Sequence, residues 1–226
     1  MRKIAIGDIH GCAHTFKRLV EKIELRQQDE LILLGDLIDR GPDSKGVFDE
    51  ILRLREKGHS VILIQGNHEE MMLNAHLDFF VKDRWLNNGG RSTLSSFGSN
   101  QDMKGVDPIY WAMMGESLDY YESGGHIFVH GGLNFGLKDP FEAIRDMRWI
   151  RDWHDEINYE WLGDRVIIHG HSPRSVKIIK QMHVDLSKKQ VLDIDSGCVY
   201  LDEEGMGVLT AYDTTSGDLF FQEYVG

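Results

Sequence analysis

Residues 30–41 read ELILLGDLIDRG. An aliphatic run, Leu31-Ile32-Leu33-Leu34, stops at a glycine, and Asp36, Asp39 and Arg40 follow at once. A continuous apolar run bounded by Gly reads as a strand covered on both faces, with a turn at its carboxyl end. The form recurs on either side. Residues 3–7 (KIAIG) run into Asp8-Ile9-His10-Gly11, and residues 61–65 (VILIQ) run into Gly66-Asn67-His68-Glu69. Between them, 15–23 and 43–57 carry apolar residues at helical spacing, the second through Val47, Phe48, Ile51, Leu52 and Leu54. A recurrence of about 30 residues is the length of a βαβ unit. The expected class is α/β, with a helix near His68 closing the third unit.

The remainder is less regular. Residues 83–121 hold Asn87-Asn88-Gly89-Gly90, SSFGSNQDMKG and several aromatics, and read as short helices and loops over a site. Residues 126–130 and 165–169 read as further strands. From 177 onward the runs KIIKQMHV, QVLDIDSG, MGVLTAYD and DLFFQEYV read as β-rich, with TTSGD (214–218) as a hairpin turn. No repeat or linker composition interrupts the chain, so one domain over 1–226 is expected.

Composition narrows the function classes. The 226 residues are 41% hydrophobic and 27% charged, an ordinary soluble balance. Thirty-seven acidic against 25 basic residues give −12, which argues against a broad nucleic-acid footprint. An anionic substrate stays open, because bound dications would dominate their own site. No apolar run approaches the ~20 residues of a membrane span. The opening MRKIAIG enters a strand pattern without an apolar leader. Cys12 and Cys198 cannot form a disulfide framework. A cytoplasmic protein with no membrane or nucleic-acid partner is expected, monomeric by default.

Five motifs stand where strand-like runs end: GDIHG (7–11), GDLIDRG (35–41), GNHE (66–69), HGG (130–132) and HGH (169–171). Ligands of α/β sheets bind beyond the carboxyl ends of strands. Alone, a Gly-Asp is a turn or a cap, Arg40 a surface ion pair, and His130 or His171 a semi-buried histidine. Five in succession, all bearing Asp, Asn or His, point to one pocket. A donor set of Asp, His and Asn without Cys suits Mn²⁺, Fe or Zn²⁺. Glu69-Glu70 reads as the first turn of a helix, favourable to its dipole, and the tryptophans read as core or rim aromatics.

This set resembles the phosphoprotein phosphatase family of metallophosphoesterases, most nearly its small bacterial and phage members. Further similarity lies in Trp85-Leu86-Asn87-Asn88-Gly89-Gly90 and in DIDSGCVY (193–200). The resemblance implies a calcineurin-like metallophosphoesterase fold, a β-sandwich flanked by helices with two divalent metals, most simply Mn²⁺, on the loops. It implies Asp8 and His10 on one metal, Asp36 bridging, and Asn67, His130 and His171 on the second. It implies direct attack by a metal-activated water, with His68 as general acid, oriented by Asp39, and Arg40 and Arg151 on the phosphate. Arg145 and Arg148 are alternatives to Arg151. Gln65, where many such phosphatases carry Arg, and Ser196, where Thr is frequent, depart from the pattern. The implied substrates are phosphoserine or phosphothreonine in proteins, or small phosphomonoesters. The alternative is a dinucleoside polyphosphate. Related symmetrical tetraphosphatases typically carry Ala in place of Asp39 and GNHD in place of GNHE; this chain keeps Asp39 and Glu69.

Overall fold

Strand β1 (Lys3–Ile6), helix α1 (Ala13–Lys22), β2 (Glu30–Leu33), α2 (Ser44–Glu56), β3 (Ser60–Leu63) and α3 (Asn67–Ala75) form the first half as a run of βα units. The computed structural model describes residues 1–99 and 102–226. Next come α4 (Phe79–Trp85), α5 (Arg91–Ser96), α6 (Pro108–Gly115), β4 (Tyr120–Ser123) and β5 (His126–Val129). Then follow α7 (Ile144–Trp149), α8 (Tyr159–Leu162), β6 (Val166–His169), α9 (Val176–Val184) and α10 (Leu186–Lys189), and finally β7 (Val191–Asp193), β8 (Val208–Asp213) and β9 (Asp218–Glu223).

The strands make two sheets. One has the order β3-β2-β1-β8-β9, parallel through β1, β2 and β3 and antiparallel at β8 and β9. The other has the order β4-β5-β6-β7, parallel from β5 to β7. Alternation along each strand explains the unbroken apolar runs. Ile4, Ile6, Leu31, Leu33, Val61 and Leu63 pack with Phe16, Leu19, Phe48 and Ile51 of the covering helices. Ala5 and Ile32 face the other way, into a cluster shared with Phe128, Ile168 and Leu192 of the second sheet. The outer face of that sheet is closed by Met147, Trp153, Ile157 and Leu162. The arrangement is the expected sandwich flanked by helices.

Helix ends are set locally. Asp43 caps α2 by accepting the Gly46 N–H at 2.8 Å, and Asp78 caps α4 at Phe80 N at 2.7 Å. Each such cap is worth about 1 kcal/mol.

Three expectations need correction. Residues 176–184 are α9, not a strand: Ile179, Met182 and Leu186 fall at helical spacing and pack on the inter-sheet cluster, which outweighs the β-branched composition. Residues 120–123, taken as the end of an irregular stretch, are strand β4. Gly124 (φ 60°) and Gly125 (φ 80°) make the tight turn that pairs it with β5. Residues 85–93 brace the site rather than lie over it, as described below. Asn100 and Gln101 of SSFGSNQDMKG lie outside the described residues.

Candidate metal centre

The motif loops leave the carboxyl ends of β1, β2, β3, β5 and β6 and meet. Of the eight non-glycine residues with positive φ among those described, five belong to these loops: His10 (46°), Asp36 (47°), Asp39 (74°), Arg40 (68°) and His171 (71°). Left-handed backbone is costly for such residues and persists only where the surroundings enforce it, as at functional sites. Here the enforcement is backbone pairing between loops. The Asp36 carbonyl accepts from Ile9 N (3.1 Å) and His10 N (2.8 Å), and the Leu37 carbonyl accepts from Gly11 N (2.8 Å).

Asp36 sits at the centre. Its Oδ1 lies 3.3 Å from His130 Nε2, and its Oδ2 lies 3.6 Å from His10 Nε2 and 3.9 Å from His68 Nε2. Two groups of potential ligands share it: His10, Asp36 and His68, and Asp36, His130 and His171, with donor atoms within 4.8 Å of one another in each group. Backbone carbonyls set the tautomers. His10 Nδ1–H donates to Ile38 O (2.9 Å) and His130 Nδ1–H to Leu34 O (2.7 Å), so both rings turn an unprotonated Nε2 inward. His130 Nε2 therefore presents a lone pair to Asn67 Oδ1, itself an acceptor, 3.0 Å away. His171 is buried, yet neither ring nitrogen has a hydrogen-bond partner. Facing acceptors and a partnerless buried imidazole, all from Asp, Asn and His, fit divalent cations of the Mn²⁺, Fe or Zn²⁺ kind. Asp8 lies at the rim of this cluster, where its two carboxylate oxygens take the His171 backbone N–H at 3.1 and 3.2 Å.

Electrostatics agree with the donor chemistry. Burial pushes His10 and His171 down to about 3 and lowers His130, so all three imidazoles are neutral, the ligand form. Burial and then the charges of Asp195 and Asp36 push Asp8 well up, the mark of crowded acids in need of a cation.

His68 is placed differently from the other rings. Its Nδ1 is 2.6 Å from Asp39 Oδ2. Burial would lower His68, but the Asp36 and Asp39 carboxylates outweigh it and raise the imidazole. Asp39 is fully buried and is itself held by two residues that sequence reading missed. Trp85 Nε1–H donates to its Oδ2 (2.8 Å) and Thr93 Oγ–H to its Oδ1 (2.6 Å). Both come from the stretch around Leu86–Gly90, where Gly89 (φ 113°) lets its carbonyl take the Arg40 N–H at 3.3 Å. The sequence signal nearest them was WLNNGG, which holds Trp85 and stops three residues short of Thr93.

Glu69 does more than favour a helix dipole. Its Oε2 accepts from Asp36 N (2.9 Å) and Gly66 N (3.0 Å), and its Oε1 from Leu37 N (2.8 Å). Arg40 is exposed and donates from Nη1 to His10 Nε2 at 2.6 Å. Arg151 donates from Nη1 to His171 O (2.8 Å) and Ser172 Oγ (3.1 Å), at the edge of the site. Arg148 is engaged by Glu70 and Asp119, and Arg145 is exposed. Cys12 is buried and within 3.6 Å of His10 O, as a small packing residue. No helix among the described residues is long and apolar enough to cross a membrane.

Comparison with known proteins follows the same lines. Serine/threonine-protein phosphatase 1 of Salmonella typhimurium is 46% identical over 86 residues, 38% of this chain and 37% of that protein. A symmetrical bis(5'-nucleosyl)-tetraphosphatase of Buchnera aphidicola is 32% identical over 130 residues, 57% of this chain and 43% of that protein. The chain thus matches less than half the length of either relative. A solved protein serine/threonine phosphatase from Saccharomyces cerevisiae superposes with a TM-score of 0.67 at 15% identity, over 100% of this chain and 81% of that one, a likeness of fold. The family model for calcineurin-like phosphoesterases matches residues 1–207. With two stacked sheets, loops carrying Asp, His and Asn to one point, and that match over most of its length, the chain belongs to the calcineurin-like phosphoesterase family.

Proposed function

We propose that the chain, acting as one unit over 1–226, is a metal-dependent phosphomonoesterase for phosphoserine and phosphothreonine in proteins. The observation that carries this reading is the 2.6 Å hydrogen bond between His68 Nδ1 and Asp39 Oδ2, with the opposite ring nitrogen facing the Asp36 cluster. An alkoxide is a poor leaving group and needs a proton as the P–O bond breaks. Asp39 accepts the Nδ1 proton, favours the imidazolium, and turns Nε2–H toward the centre, the geometry of a general acid. A nucleoside polyphosphate leaves as a stabilised oxyanion and needs no such acid. Two divalent cations, Mn²⁺ foremost, held by Asp8, His10, Asp36, Asn67, His130 and His171, would neutralise phosphate charge and activate water. Arg40, free to swing from His10, and Arg151 would grip the non-bridging oxygens.

Hydrolysis of dinucleoside tetraphosphates is the second reading, favoured by the name of the Buchnera relative. The deciding experiment gives Mn²⁺-loaded protein a phosphothreonine peptide and diadenosine tetraphosphate at equal concentration. Inorganic phosphate from the peptide with the nucleotide intact is expected. Nucleoside diphosphate with the peptide untouched would replace the first reading with the second.

A further inference from the structure

The DIDSG stretch holds a buried acid that the six-donor set leaves out. Beyond the His169–Asp193 register of β6 and β7, Ile194 N donates to His169 O at 2.8 Å, so the chain after β7 continues alongside the loop that bears His171. It also lies against the residue before Asp8: a Cβ on Gly7 would fall 2.4 Å from Ile194 O and 3.3 Å from Asp195 N. On Gly170 a Cβ would fall 2.1 Å from Asp8 Oδ1 and 3.8 Å from Asp195 Cβ. The two acids thus flank one glycine, with no side chain between them.

Their hydrogen bonding is incomplete. Asp195 is 1% exposed. Its Oδ1 takes the Gly197 N–H at 2.9 Å, but its Oδ2 has no partner at all. Asp8 beside it has its hydrogen bonds from the single His171 N–H. A carboxylate oxygen buried without a donor is expensive, and a nearby cation is the remedy that the neighbouring donors already call for. Asp193 Oδ2, two residues earlier, also lacks a hydrogen-bond partner, but Arg174 Nε lies 3.6 Å from it, a cation from the chain itself.

We propose that Asp195 is a seventh donor of the metal centre, supporting the cation on the Asp8 and His10 side. The inference rests on the metal-dependent reading above and adds to the six donors already described. It also gives the DIDSG tail a task at the site, where its likeness to known phosphatases had none.

The test is calorimetric titration of Mn²⁺ into chelator-stripped protein. Wild type is expected to show two sites. Asp195→Asn should leave one unchanged and weaken the other by at least about 10–100-fold, the range for residues that merely support metal ligands and so the floor for a donor. Asp193→Asn, equally buried, should keep both affinities within about threefold, well under that range. Unchanged affinities in Asp195→Asn, or an equal loss in Asp193→Asn, would overturn the proposal. Melting curves in excess chelator report whether each variant folds. If Asp195→Asn does not, Asp195→Glu takes its place, and the same one-site loss is expected, with two unaltered sites counting against the proposal. A wild type that binds no Mn²⁺ would instead sink the metal-dependent reading itself.

Discussion

Glu69 reaches back 33 residues along the chain to accept the Asp36 backbone N–H at 2.9 Å, so the first turn of α3 holds the loop that bears the central carboxylate. The same side chain takes Leu37 N and Gly66 N, which ties the ends of β2 and β3 together. All three N–H groups lack an alternative partner in a buried pocket. Glu69→Gln turns an amide donor toward them and leaves at least one unsatisfied. Unfolding in urea should show a loss of about 2–3 kcal/mol, with weaker Mn²⁺ binding. A variant as stable as wild type would remove Glu69 from this role.

His68→Asn should leave two metals bound and cut kcat by about 10²–10⁴-fold, the usual worth of general acid–base help. Metal content by plasma emission and steady-state rates on a phosphothreonine peptide check the two halves separately. Turnover near wild type would take His68 out of the mechanism.

Trp85 is buried with its indole N–H on Asp39 Oδ2 at 2.8 Å. Trp85→Phe keeps most of the packing and deletes that donor. Stability should fall by about 1–2 kcal/mol. The kcat should fall severalfold with KM little changed, because Asp39 then orients His68 less firmly. A change in KM alone would mean that Trp85 serves substrate binding instead.

Gly170→Ala tests crowding without any demand on φ. The new methyl would sit 2.1 Å from Asp8 Oδ1, so Asp8 must move. We expect fewer than two Mn²⁺ per chain by plasma emission, with far-ultraviolet circular dichroism unchanged. Full occupancy would show that Asp8 is not needed where it stands.

A pH effect is expected away from the site. Burial would raise Asp29, but Arg2, at 2.6 Å, and the N–H groups of Arg26 and Arg2 hold it below the usual carboxylate range. A depressed folded pKa means that the unfolded chain binds more protons as pH falls, so this stabilisation is present above pH ~4 and lost below it. Asp29→Asn should therefore cost about 2 kcal/mol at pH 7, and the gap to wild type should close on acidification through pH ~4 toward pH ~2. A gap that stays constant with pH would show that the charge of Asp29 contributes nothing.

Much of the site was legible because metal chemistry restricts residue types. Asp36, His130, His171, Asn67 and His10 stand at strand ends beside glycines, and the fold brings them together around Asp36. What escaped were residues whose contribution is a hydrogen bond across long sequence separation. Thr93 and Trp85 meet Asp39 from 54 and 46 residues away, and nothing in their own neighbourhood marks them as donors to a buried acid. Residues 176–184 escaped for another reason: a short run with Ile178, Ile179 and Val184 satisfies strand and helix patterns alike, and only the inter-sheet cluster selects the helix.

The sequence by itself determined the α/β class, because apolar runs spaced by amphipathic helices can only be buried as strands covered on both faces. It also determined the family, through glycines and ligand-type residues at positions that local turn geometry and metal chemistry both restrict. The tertiary structure alone decided how those loops lock. It set the left-handed backbone at Asp36, Asp39 and His171, the Glu69 clasp on Asp36, and the place of Asp195 beside Asp8. These depend on which sheet edges and loop backbones meet, a matter of long-range packing that no local pattern records.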